Sequence, residues 1–283
     1  MPAADIWPCP PWLTREALAR WRIWDCLFVP SASRSGSFEQ AIEELMPACE
    51  RFGIERLCTY FPVGAQALPR EPAHTPDAAR AIRQCLQRWP RQLLGGLILN
   101  AASPETSVER IEEWIADGPM VAALFPSSPQ TLPCTHPNFD RLYPRLHELG
   151  ALIVQHTWLK TAGKGSAGES TPLELAEVAR RYPEITFVCV HAGGEWEQGL
   201  RAIRDCGNVL IEISGFDPTA GFVSMAKREI GVKRILFARE RSFATELAKV
   251  FDAGVTDEDR AAIFGGNLRR VLGPILHRKG VSV

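Results

Sequence analysis

Two short apolar runs each deliver a histidine and then release the chain into a turn or a polar segment. Residues 187–194 read FVCVHAGG, ending in His191 and two glycines, and residues 151–157 read ALIVQHT, ending in His156. A buried strand that ends in histidine presents an imidazole at its carboxyl end, and Gly193 and Gly194 let the backbone turn and approach a ligand. Imidazoles displayed this way serve proton transfer or metal ligation. The competing reading is a structural hydrogen bond at a strand end. Two such histidines on consecutive strands put the two readings on an equal footing.

Acidic groups converge on the same place. In the run VLIEIS, Val209, Ile211 and Ile213 share one face and Glu212 and Ser214 the other, so the polar pair should point inward. By the same parity His191 shares a face with Cys189 and Phe187, His156 with Val154 and Leu152, and Glu240 with Ala238 and Leu236. Imidazoles and carboxylates at the mouth of an apolar barrel are costly to bury without partners or a metal, which argues for a site; a purely structural polar cluster is the alternative.

The elements that must position these groups alternate along the chain. Strands are expected over 22–29, 54–62, 93–100, 121–126, 151–156, 187–191, 209–214 and 234–240, with helical patterns between them. Helix 38–52 repeats Phe38, Ile42, Leu45, Cys49 and Phe52 at three- to four-residue spacing, with Ser37 and Gln40 as its cap, Pro47 as a kink and Gly53 as its end. Thr171, Pro172 and Glu174 supply a cap, a first-turn proline and a third-position acid for the helix before strand six. Eight strands alternating with helices define an α/β protein with a single (β/α)8 TIM barrel. The expected organisation is an arm and short helix over 1–21, the barrel over 22–273 and a tail over 274–283.

Loop lengths are asymmetric. Segments that leave helices are curt, while those that leave strands (30–37, 62–76, 125–138, 158–170) are longer and polar, so the working face is the strand-to-helix face. Segment 158–170 lacks the spacing of a phosphate loop and reads either as a lid, with Lys160 or Lys164 meeting an acidic substrate, or as a solvated linker.

The chain has 283 residues, 46% of them hydrophobic, and a net charge of -1 from 32 basic and 33 acidic residues without a basic block. One large core and a small-molecule partner follow; nucleic acid and membrane surfaces are not indicated. No apolar run of membrane length and no secretory signal pattern is present, so a cytoplasmic protein is expected. The eight cysteines are scattered without a CxxC pair and read as buried thiols. A tryptophan-rich first dozen residues leaves a homo-oligomer open.

Five segments in order, HPNFDRLYPRLHELGALIVQHT, PEITFVCVHAGGEWEQGLRAI, NVLIEISG, VKRILFARE and IFGGNLRRVLG, resemble the amidohydrolase-related (amidohydrolase 2) branch of the metal-dependent hydrolases over 22–273. That branch includes aminocarboxymuconate semialdehyde decarboxylase and pyrone dicarboxylate lactonase. The resemblance implies a barrel whose metal, usually zinc, activates water or polarises a carbonyl. It also exposes departures. The Asp-x-His-x-His of strand one keeps Asp25 but has Leu27 and Val29 in place of its histidines, the strand-eight aspartate is Glu240, and the bridging lysine of strand four is absent near Ala122 and Ala123.

What survives is His156, His191 and Glu240 as catalytic groups and as a three-ligand metal set, with Asp25 as a further ligand. Asp25, Glu212, Ser214, Asn100, Arg34 and Lys164 are the substrate-binding candidates, and Arg239 or Arg241 could pair a substrate carboxylate. The cofactor is one divalent ion, zinc first, or none. The implied function is a hydrolase, decarboxylase or lactonase acting on a small carboxylated substrate, and the alternative is a non-catalytic barrel that binds a ligand or partner.

Overall fold

The computed structural model describes residues 13–63, 75–159, 168–215, 220–240 and 242–283. Eight strands, β1 Ile23–Phe28, β2 Ile54–Pro62, β3 Leu93–Ile98, β4 Ala122–Phe125, β5 Leu152–Gln155, β6 Phe187–Cys189, β7 Val209–Glu212 and β8 Ile235–Leu236, pair in sequence order into one parallel sheet. The Cys26 N–H donates to the Phe237 carbonyl at 3.0 Å and joins the two edges, so the sheet closes as a (β/α)8 barrel. A parallel strand must be followed by a crossover, and each strand here is followed by helical segments that cover the sheet.

Local signals in the sequence set several boundaries. Ser37 Oγ accepts from Gln40 N–H at 3.0 Å and starts the helix Phe38–Arg51. Thr171 and Glu174 form the reciprocal capping box that opens Pro172–Arg181, with Glu174 Oε2 accepting from Thr171 N–H at 2.7 Å. The last helix, Asn267–Arg278, continues through Pro274 into the segment expected to be a tail.

The outer layer also fixes which way the site histidine on β5 faces. Tyr143 packs its ring 5.6 Å from Phe125 and 5.1 Å from Phe187, and its hydroxyl donates to Gln155 Oε1 at 3.0 Å. Gln155 is thereby held in the helix layer, and the next residue, His156, turns to the barrel mouth.

Strands β6, β7 and β8 are shorter than their apolar patterns, and just beyond their ends side-chain acceptors take over backbone donors. Ser214 N–H goes to Glu212 Oε2 at 2.6 Å, His191 N–H to Glu212 Oε1 at 2.6 Å, and Arg239 N–H to Asp25 Oδ1 at 3.3 Å. These diversions lie where the chemistry-bearing residues begin. The seven described cysteines are buried free thiols. Among the described residues no helix is long and apolar enough to cross a membrane.

Candidate active site

A cavity of about 550 Å³ opens among the carboxyl ends of the strands, within the range of small-molecule sites. Leu27, Val29, Arg34, His156, His191, Arg239 and Glu240 are among its lining residues. The face that the loop lengths single out is therefore the one that holds the cavity.

His191 is the most tightly held group. Its φ is 59°, Ala192 follows at 45°, and Gly193 and Gly194 extend the left-handed run at 86° and 79°. Such a backbone is costly for the two non-glycine residues and persists only when its surroundings enforce it. Glu212 supplies that enforcement. Its carboxylate, 0% exposed, accepts the His191 and Ser214 amides and lies 3.1 Å from His191 Nδ1. Ser214 adds its carbonyl at 3.0 Å and its hydroxyl at 3.1 Å to the same nitrogen. With Nδ1 engaged, Nε2 is the nitrogen left for a ligand.

The two glycines also permit close packing within the protein. A Cβ on Gly193 would stand 2.2 Å from Pro172, and one on Gly194 would stand 3.0 Å from the Trp158 ring. They bring the backbone against its own neighbours, where Leu159 N–H donates to the Gly193 carbonyl at 2.6 Å.

The two imidazoles meet edge to face, with ring centroids 5.3 Å apart and planes at 88°. Their proton affinities are pushed apart. Burial lowers His156 to about 4, the charge on His191 adds to the effect, and Glu212 opposes it weakly. His156 Nδ1 is buried without a hydrogen-bond partner. Burial also works against charged His191, but the charge and hydrogen bond of Glu212, the charge of Glu240 and the Ser214 carbonyl outweigh it, so His191 is raised above its ordinary value. Glu212 is held below the usual carboxylate range: its burial raises it, but His191 and the Ser214 hydrogen bonds prevail. The two proton affinities are thus displaced in opposite directions.

The other sequence candidates separate. Asp25 is fully buried beneath the cavity, with Oδ1 accepting from Leu27 N–H at 2.9 Å; burial pushes it up to about 7 despite Arg239 nearby. Glu212 and Ser214 point inward as parity requires, but they act on His191 and do not line the cavity. Asn100 is spent on its loop, accepting from Ala102 N–H at 2.9 Å and donating to the Gln130 carbonyl at 3.1 Å, and it lies outside the cavity lining. Arg34 lines the rim from the helix Ala32–Ser35, exposed. Lys160 and Lys164, with the lid that would carry them, and Arg241 lie outside the described residues.

Parity misplaces strand eight. Because β8 stops at Leu236, Glu240 is exposed at the rim, and Arg239 turns inward with a side chain only 12% exposed. No set of three or more His, Cys, Asp or Glu placed to hold one ion exists among the described residues. His156, His191 and Glu240 of the expected set line one cavity without closing on a common point: Glu240 is exposed at the rim, Asp25 is buried outside the lining, and Leu27 and Val29 present hydrocarbon. The donor set does not fit a dication.

One buried pair escaped sequence reasoning. Lys249 and Glu246, 2% and 3% exposed, pair at 2.7 Å, and Lys249 Nζ donates to the Ile213 carbonyl at 2.7 Å and the Gly215 carbonyl at 3.4 Å, on either side of Ser214. The signal was present in FATELAKVFD, where both charges fall on the apolar stripe of a helix.

Comparisons with known proteins agree with this architecture. A family model described as amidohydrolase matches residues 60–273. No curated protein matches the chain. The solved 5-carboxyvanillate decarboxylase from Sphingomonas paucimobilis superposes with a TM-score of 0.65 at 14% identity, covering 89% of this chain and 99% of that one. The 4-oxalomesaconate hydratase from Rhodopseudomonas palustris gives 0.64 at 17%, covering 91% and 98%. A dihydroxybenzoic acid decarboxylase from Polaromonas sp. JS666, solved with manganese and 2-nitroresorcinol, gives 0.63 at 14%, covering 90% and 97%. At these identities the likeness is one of fold.

Proposed function

The chain belongs to the amidohydrolase family, and from that premise we propose that it is a hydrolase or lyase that acts on a small carboxylated molecule by acid-base chemistry of two histidines. The observation that carries the proposal is the edge-to-face pair of His156 and His191, 5.3 Å apart in a cavity of ligand size, in surroundings that shift their proton affinities in opposite directions. Groups whose environments push their proton affinities apart divide into acid and base.

His191, whose proton Glu212 stabilises, donates from Nε2 to the oxygen of a carbonyl or leaving group. Neutral His156 accepts the proton of an attacking water or of a substrate hydroxyl. Arg34 and Arg239 on the lining favour an anionic substrate, as does the carboxylated chemistry in the names of the structural neighbours. A small molecule suits the described surface too: its exposed large hydrophobic side chains are only Leu173 and Val283.

No step is routed through a metal, because the donor set does not fit one. Leu27 and Val29 in the lining also support a second reading, a barrel that binds its ligand without turning it over.

The test is a screen of aromatic carboxylic acids and carboxylated lactones with protein dialysed against EDTA. Turnover that survives EDTA supports the proposal. Turnover that appears only after zinc or manganese is restored contradicts the metal-free chemistry, and binding without any turnover selects the second reading.

A further inference from the structure

The cavity lacks the ligands for a metal cation but contains a cation of its own. Arg239 is fixed from three sides. Its backbone N–H donates to Asp25 Oδ1 at 3.3 Å, its Nε lies 3.9 Å from Asp25 Oδ2, and its guanidinium carbon stands 5.1 Å from the Phe28 ring and 4.8 Å from the Phe243 ring. An arginine held between two aromatic faces beside a fully buried carboxylate is a built feature, unlike the exposed Arg34. It lines the same cavity as Leu27, Val29, His156 and His191.

We propose that the Arg239 guanidinium takes the electrostatic place of the family's metal ion and holds an anionic oxygen of the ligand, a carboxylate, beside the two histidines. The substitutions make one consistent set. A dication in this cavity would need the two strand-one histidines that Leu27 and Val29 have replaced, whereas a guanidinium needs no lone pairs and is stabilised by a carboxylate and by aromatic faces. Asp25, which the family resemblance places next to the metal, lies instead beside the arginine and accepts its backbone N–H. Glu240 lines the cavity from its exposed rim, while its neighbour Arg239 is nearly buried. A guanidinium also offers a planar fork of donors that matches a carboxylate, which a point charge does not. This inference rests on reading the cavity as the active site.

Two measurements test it. The first is zinc stoichiometry after dialysis, read by elemental analysis in Leu27→His/Val29→His and in the same variant carrying Arg239→Met, with circular dichroism confirming the fold. The double variant should bind no stoichiometric zinc and the triple variant about one ion per chain. One zinc in the double variant, or none in the folded triple, overturns the proposal.

The second measurement compares benzoate with benzamide by calorimetric titration in EDTA. The preference of the native protein for benzoate should fall about tenfold or more in Arg239→Gln and partly return in Arg239→Lys. An unchanged preference in Arg239→Gln overturns the role of Arg239. Absence of any preference in the native protein overturns both carboxylate holding here and the carboxylated substrate proposed above, and the zinc measurement still decides where the cation sits.

Discussion

Replacing Glu212 with glutamine is expected to destabilise the protein by about 3–5 kcal/mol, the cost of breaking a buried charge pair by removing one partner. The carboxylate has no solvent to fall back on, being 0% exposed, and it serves three donors at once: the amides of His191 and Ser214 and the imidazole Nδ1. Glutamine keeps one acceptor oxygen and turns an NH2 group toward a backbone N–H, so one buried donor faces another. It also withdraws the hydrogen bond that holds His191 in the left-handed region.

The loss should depend on pH in a definite sense. Glu212 is lowered below 4.5, so its contribution is complete above 4.5 and fades as pH falls through its folded value. His191 is raised above 6.5, so its contribution is complete below 6.5 and fades as pH rises through its folded value. Native and variant should differ most between these limits and converge on either side. Urea unfolding across pH measures this. A difference below about 1 kcal/mol that does not vary with pH would show that the pair is an ordinary hydrogen bond.

The second large effect is on turnover. His156→Gln should lower kcat by about 10²–10⁴, the usual contribution of a positioned base, and leave stability within about 1 kcal/mol, because its Nδ1 has no protein partner to lose. The native pH profile should fall on the acid side as His156 gains a proton near 4, and on the alkaline side where His191 loses one above 6.5. In the variant the acid limb should disappear. Steady-state rates on the best substrate from the EDTA screen provide the check, and a variant that keeps both its rate and its acid limb would remove His156 from the chemistry.

The barrel was legible in the sequence because its strands and helices announce themselves by period. Strand β2 occupies the expected residues 54–62, and the helix beginning at Phe38 ends within a residue of expectation. Glu212 was placed correctly inside by the alternation of Val209, Ile211 and Ile213. Parity failed where the ladder stopped. Once Phe237 had made its bond to Cys26 and Ile263, nothing kept the next residues in register, and Arg239 rather than Glu240 turned inward. No periodicity encodes that turn, since it depends on a carboxylate, Asp25, far away in the chain. The pairing of Glu212 with His191 was out of reach for the same reason: parity gives the direction of a side chain but not the depth at which it meets another. Lys249 and Glu246 are legible as two charges on an apolar helical stripe, but their partners, the carbonyls of Ile213 and Gly215, lie on a distant segment.

Two neighbouring histidines with proton affinities shifted in opposite directions can be followed directly. The chain contains only six histidines, so their side-chain resonances can be followed individually by heteronuclear NMR of histidine-labelled protein in EDTA, with His156→Gln and His191→Gln identifying the two signals. His156 should titrate near 4 and His191 above 6.5. A common midpoint near the ordinary histidine value, or His156 titrating above His191, would contradict this expectation.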